Sequence, residues 1–157
     1  NNGDNKYIQH IQKNDYVMDQ YGNKCKVLCV IIYKCCDNKC LMVKLNGGTI
    51  ITPYHPVLNN KNDWVFPSSL GVIKEYETDY VYNLILDSNH TVIINSNICV
   101  TLGHNITSNF VVSHDYFGTS KVIKDLEKMD GYNNGFVLLN KNNFIRCKET
   151  NRVIKIE

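Results

Sequence analysis

The chain has 157 residues, enough for one domain with a normal buried core. Its 17 basic and 15 acidic side chains leave a formal net charge of +2, too little to indicate a nucleic-acid or anionic-membrane partner. No apolar run approaches bilayer-spanning length, and the polar opening Asn1–Lys6 has no signal-peptide pattern. The seven cysteines are an odd number, which argues against a fully paired extracellular framework. Free thiols in a reducing compartment, and hence a cytoplasmic location, are the expectation.

In chain order, the first apolar β-branched run is Lys26–Tyr33, a strand. Leu41–Leu45 and Thr49–Thr52 flank Asn46-Gly47-Gly48, a hairpin signal because the turn residues must reach positive φ. Pro53–Leu70 reads as a loop containing Trp64 and Pro67. Gly71–Tyr76 and Tyr80–Leu86 read as strands. His90–Ile94 and Ile98–Leu102 form a second hairpin around Asn95-Ser96-Asn97. The character changes after about residue 105. Thr119–Met129 places Val122, Ile123, Leu126 and Met129 on one helical face, with Thr119 as N-cap and Asp130-Gly131 as the stop. Strand-like pieces follow at Phe136–Leu139, Phe144–Lys148 and Val153–Ile156. The order favours a mainly β core with a C-terminal appendage over a βαβ fold. No glycine-rich loop follows a strand, so nucleotide chemistry has no support.

The pattern with most chemical content is Thr52-Pro53-Tyr54-His55-Pro56. An extended Thr-x-x-His brings a hydroxyl and an imidazole to one peptide group. The imidazole can protonate a leaving nitrogen while the hydroxyl hydrogen-bonds the same group. The flanking prolines stiffen the backbone. On these five residues alone, a structural turn with a surface histidine accounts for the pattern as well. Cys35-Cys36-x-x-x-Cys40, with Cys25 and Cys29 nearby, raises the possibility of zinc, but the spacing is irregular and paired C-x-x-C motifs are absent. Cys29 reads as core, His10 and His114 as surface or loop histidines, and Asp87 as a turn residue.

Further blocks extend the pattern. Ile51–Val57 (ITPYHPV), Trp64–Pro67 (WVFP), Val81–Asn105 (VYNLILDSNHTVIINSNICVTLGHN) and Ser113–Leu126 (SHDYFGTSKVIKDL) occur in this order, after the strand entry Ile11–Val17. Together they resemble the Hint domains of inteins and hedgehog proteins, and among these the Vint branch, found in proteins with von Willebrand factor A domains. The resemblance implies a mainly β Hint-type horseshoe of short strands and hairpins over residues 1–105, with a small C-terminal α+β extension over 106–157. It implies autoprocessing: a Cys or Ser at the domain's first position attacks the preceding carbonyl and forms a thioester or ester. Thr52 and His55 match the groups that polarise the peptide and protonate the departing nitrogen. His90 matches the assisting histidine of the late block. His104-Asn105 resembles the pair that cuts a C-terminal bond by asparagine cyclisation. Cys99, in the same block, is a candidate second nucleophile or a small buried strand residue.

There are four departures from the family pattern. The chain begins at Asn1, in what resembles the turn after the first strand, so the nucleophile is expected from upstream sequence or from another chain. Asn83 stands where many inteins have Asp. Ile106 cannot act as a splicing nucleophile, so ligation is not expected there. The chain continues well past Asn105, where the Vint branch usually has Gly. The expected partner is the chain's own flanking polypeptide or a complementary N-terminal peptide, acting on a monomer with no cofactor, nucleic acid or membrane. A catalytically silent interaction domain, or a fragment completed in trans by a peptide strand, are the competing expectations.

Overall fold

The computed structural model describes residues 5–157. The expectation that Asn1 lies in a turn after a first strand falls outside these residues. The fold is mainly β with one short helix. Its strands are β1 (Tyr16–Met18), β2 (Lys24–Lys34), β3 (Lys39–Lys44), β4 (Ile50–Ile51), β5 (Val57–Leu58), β6 (Trp64–Val65) and β7 (Ile73–Glu77), followed by β8 (Tyr80–Leu86), β9 (Thr91–Ile94), β10 (Asn97–Val100), β11 (Phe136–Leu139), β12 (Phe144–Arg146) and β13 (Val153–Ile156). The helix α1 spans Ser120–Leu126. No helix among the described residues is long and apolar enough to cross a membrane.

β2 organises the molecule. It pairs antiparallel with β1 and β8, and parallel with β11. Its register against β8 skips between Val27 and Cys29, a bulge at Leu28. Because side chains alternate with period two, an inserted residue flips the faces beyond it. Cys25, Val27 and Val30 therefore enter one apolar core, while Cys29 and Ile31 enter another. β8 divides in the same way: Leu84 and Leu86 go to the first core, Ile85 to the second. The first core collects Val43, Ile51, Val57, Val92 and Cys99 from the hairpins. The second collects Leu102, Tyr116, Val122, Leu126, Val137, Leu139, Val153 and Ile156. Residues 106–157 thus cover the face of the β2–β8 pair opposite the hairpins. Each buried aliphatic side chain contributes about 1.5–3 kcal/mol to that cover.

Several elements differ from the sequence expectation. Pro53–Leu70 is not one loop, since β5 and β6 form a small hairpin in a sheet ordered β6-β5-β10-β9. Its turn is closed by Asn59, whose side-chain oxygen accepts from the Lys61 and Asp63 amides at 2.8 and 2.9 Å. Two-residue strands are too short to show alternation. The helix ends at Leu126 rather than Met129, although Thr119 caps it as expected, accepting from the Lys121 amide at 3.4 Å. The order of elements does not reveal the parallel β2–β11 pairing, which joins the appendage to the main sheet.

Candidate active site

Thr52-Pro53-Tyr54-His55 follows β4 directly and forms a turn rather than an extended segment. The His55 amide donates to the Thr52 carbonyl at 3.3 Å. Pro53 at the second position presets φ for such a turn. The turn is held from outside by the Ser68 amide, which donates to the Pro53 carbonyl at 3.0 Å. Tyr54 meets Phe66 edge to face, with centroids 5.8 Å apart. Thr52 and His55 are both partly buried.

The imidazole of His55 points to the end of β10. Its Nε2 lies 2.7 Å from the Val100 carbonyl oxygen, which can only accept, so Nε2 carries the proton and Nδ1 is the unprotonated, basic nitrogen. Burial lowers the His55 pKa below its ordinary 6.5, against the opposing pull of the Val100 hydrogen bond. At neutral pH the ring is a neutral, oriented base.

The next residue leads to the second histidine. The Thr101 amide donates to the His90 carbonyl at 2.8 Å. His90 itself has φ of 46°, and Asn89 before it 56°. Non-glycine residues adopt this left-handed region at a cost, so the surroundings must hold the turn. Asp19 holds it. Its carboxylate is fully buried in the β1–β2 turn and accepts from the Tyr21 amide at 2.8 Å, the Asn23 amide at 2.7 Å and the Asn89 side chain at 2.6 Å. Next to it, the Gln20 amide donates to Thr91 Oγ1 at 3.2 Å. Burial alone would raise the Asp19 pKa. The donors of Asn23, Tyr21 and Asn89 outweigh it and keep the carboxylate ionised below 3.8. Burial also lowers the His90 pKa, with Asp87 opposing. His90 Nδ1 and Thr101 Oγ1 are buried without a hydrogen-bond partner among the described residues.

Beyond Thr101 the chain crosses from the first core to the second. Leu102 donates to the Leu84 carbonyl, Gly103 to that of Phe117 at 2.9 Å, and Asn105 to that of Gly118 at 2.7 Å. His104 is partly buried, and its Nδ1 accepts from the Ile106 amide at 3.0 Å. Its pKa falls to about 4, first through burial and then through the charges of His90, His55 and His114, while the Val112 backbone acts the other way. The other three imidazoles are therefore close enough to His104 to disfavour its protonation. Gly118 makes room for this arrangement. A Cβ there would lie 2.8 Å from the His114 carbonyl oxygen and 2.9 Å from His104 Cε1.

His104 is engaged as a neutral acceptor within its own loop. Asn105 is exposed with φ of 56°. Cys99, expected as a second nucleophile or a buried strand residue, is 1% exposed in the first core, where burial pushes its thiol up to about 12. This is the environment of a small buried strand residue, the second of the two expectations for Cys99. His114, expected as a surface or loop histidine, lies in a loop and is partly buried, and its Nδ1 accepts from the Tyr116 and Phe117 amides at 3.2 and 3.1 Å. Asp19 and Gly118 escaped the sequence reading. An Asp in Asp-Gln-Tyr-Gly-Asn reads as turn chemistry, and only its distant partner Asn89 distinguishes it. All seven cysteines are free, and the described residues contain no group of three or more side chains placed to hold a metal ion.

A family model, the Vint-type Hint domain, matches residues 1–155. The chain belongs to the Vint family of Hint domains. The crystal structure of the gp41-1 intein is similar to the domain at 20% sequence identity and a TM-score of 0.45, covering 61% of this chain and 87% of that one. No curated protein matches the domain. At the level of the family, the activity of the Vint domain is autoprocessing.

Proposed function

We propose that this Vint domain supplies the peptide-activating half of a self-cleavage site, acting on the bond before an upstream cysteine by an N-to-S acyl shift. The observation that carries this reading is the His55 Nε2–Val100 carbonyl contact of 2.7 Å, which orients the ring and leaves Nδ1 as its base. In the proposed step the cysteine sulfur bonds to the preceding carbonyl carbon and the C–N bond breaks. The thiol proton passes through His55 Nδ1 to the departing nitrogen. A lowered pKa suits a group that must take a proton and release it within one step. Thr52, at the other end of the same turn, hydrogen-bonds the scissile peptide, and His90 assists from the neighbouring turn. Water or another nucleophile then resolves the thioester. The domain acts on its own polypeptide, so this reading requires no diffusible substrate.

A second reading is completion in trans by a peptide strand. β8 favours it, because among the described residues that strand has only β2 as a ladder partner. The test joins an upstream segment carrying the cysteine and a reporter peptide to the chain, or adds it as a separate peptide, and follows cleavage by mass spectrometry. Cleavage only when the segment is joined supports action in cis. Cleavage with the separate peptide supports completion in trans.

A further inference from the structure

Thr101 is 2% exposed, and its Oγ1 has no hydrogen-bond partner among the described residues. The other such atom is Nδ1 of His90, and the two residues are joined by the Thr101 amide–His90 carbonyl bond of 2.8 Å. The preceding residue, Val100, offers the carbonyl that orients His55. Both unpartnered atoms therefore belong to the stretch of chain that links His55 to His90. A buried hydroxyl without a partner costs stability that a methyl in its place would not. Its neighbours Val100 and Leu102 are buried and apolar, so valine would satisfy the packing there. Unsatisfied polar atoms that violate local packing rules concentrate at functional sites.

We infer that the Thr101 hydroxyl, seconded by Nδ1 of His90, is a hydrogen-bonding seat for the polypeptide being cleaved, with Thr101 donating to the scissile carbonyl oxygen. The inference rests on the autoprocessing reading above. When sulfur adds to the carbonyl carbon, the oxygen gains negative charge, and a donor already fixed in a water-poor site binds it more tightly than it binds the ground state. The hydroxyl gives a hydrogen bond and transfers no proton. Thr101 thus works on the oxygen while His55 works on the nitrogen.

The test compares Thr101→Val, Thr101→Ser and His55→Ala in the chain joined to its upstream cysteine segment and reporter. Cleavage rate and thermal midpoint are measured for each. Thr101→Val is expected to slow cleavage about tenfold to a hundredfold. It should also leave the midpoint unchanged or raise it by about 2–4 °C. Thr101→Ser is expected to cleave within about threefold of the wild type, because the donor remains. If His55→Ala is inactive and Thr101→Val cleaves normally, the Thr101 assignment fails while the self-cleavage reading stands. If His55→Ala also cleaves normally, that reading fails with it. A midpoint that falls by several degrees in Thr101→Val overturns the assignment too, since the hydroxyl would then have a structural partner.

Discussion

His55 and Cys99 lie on adjoining elements and meet different environments. His55 keeps one nitrogen on the Val100 carbonyl and one as a base. Cys99, paired across the sheet with Val57, is sealed among apolar side chains. Cys99 should therefore resist alkylation in the native protein and react only on unfolding, as iodoacetamide labelling with peptide mapping will show. Cys99→Ala should leave cleavage unchanged while costing about 1–2 kcal/mol of stability for the smaller buried side chain. Asp19 makes the opposite case, since it is fully buried, polar and fully partnered. Asp19→Ala leaves the Tyr21, Asn23 and Asn89 donors unpaired and should cost about 3 kcal/mol or more. Its folded pKa lies below the ordinary value of 3.8, so the stability it provides is present above that pH and lost as pH falls through the folded value. Denaturant melts of the wild type and Asp19→Ala should therefore converge at strongly acidic pH.

The two site elements are the turn after β4 and the crossing after β10. The crossing depends on Gly118, where a Cβ has no space beside His104 and the His114 carbonyl. Gly118→Ala should cost roughly 1–3 kcal/mol by overpacking and lower the thermal midpoint by several degrees. The proline inside Thr52–His55 is a local signal for a turn, but the five residues Thr52–Pro56 alone do not separate a working pair from a structural turn, and the later blocks in the chain are needed for that reading. The segment is not extended as expected, since the turn is closed by Ser68 and by β10, far along the chain. β8, β11 and β13 fall on their β-branched runs to the residue. The β5–β6 hairpin was hidden because two-residue strands have no period. The Asp19–Asn89 bond was hidden because it joins residues 70 apart. The bulge at Leu28, which sends β2 into two cores, is a register effect that propensity does not encode.

At the scale of the molecule, the β2–β8 pair has a core on each face, and the histidines sit where the chain passes from one to the other. His55, His90, His104 and His114 all have lowered pKa values, for which burial is the first cause. The sign follows directly. Protons bind the unfolded chain more readily below about 6.5, so stability is complete above that pH and declines as pH falls. For His104 alone, the interval from 6.5 to about 4 corresponds to about 3 kcal/mol at most. His104→Asn keeps an acceptor for the Ile106 amide but cannot titrate. Urea melts of this variant should show a shallower loss between pH 6.5 and 4 than the wild type.

In the proposed self-cleavage, His55 and Thr52 activate the peptide bond ahead of an upstream cysteine. The most direct measurement joins that cysteine segment and a reporter peptide to the chain and follows release of the reporter by mass spectrometry, with and without added thiol. The wild type should release it, and faster with thiol, while His55→Ala and Thr52→Ala should slow release by about 10²–10⁴-fold. Release at the wild-type rate from both variants would show that neither residue activates the bond.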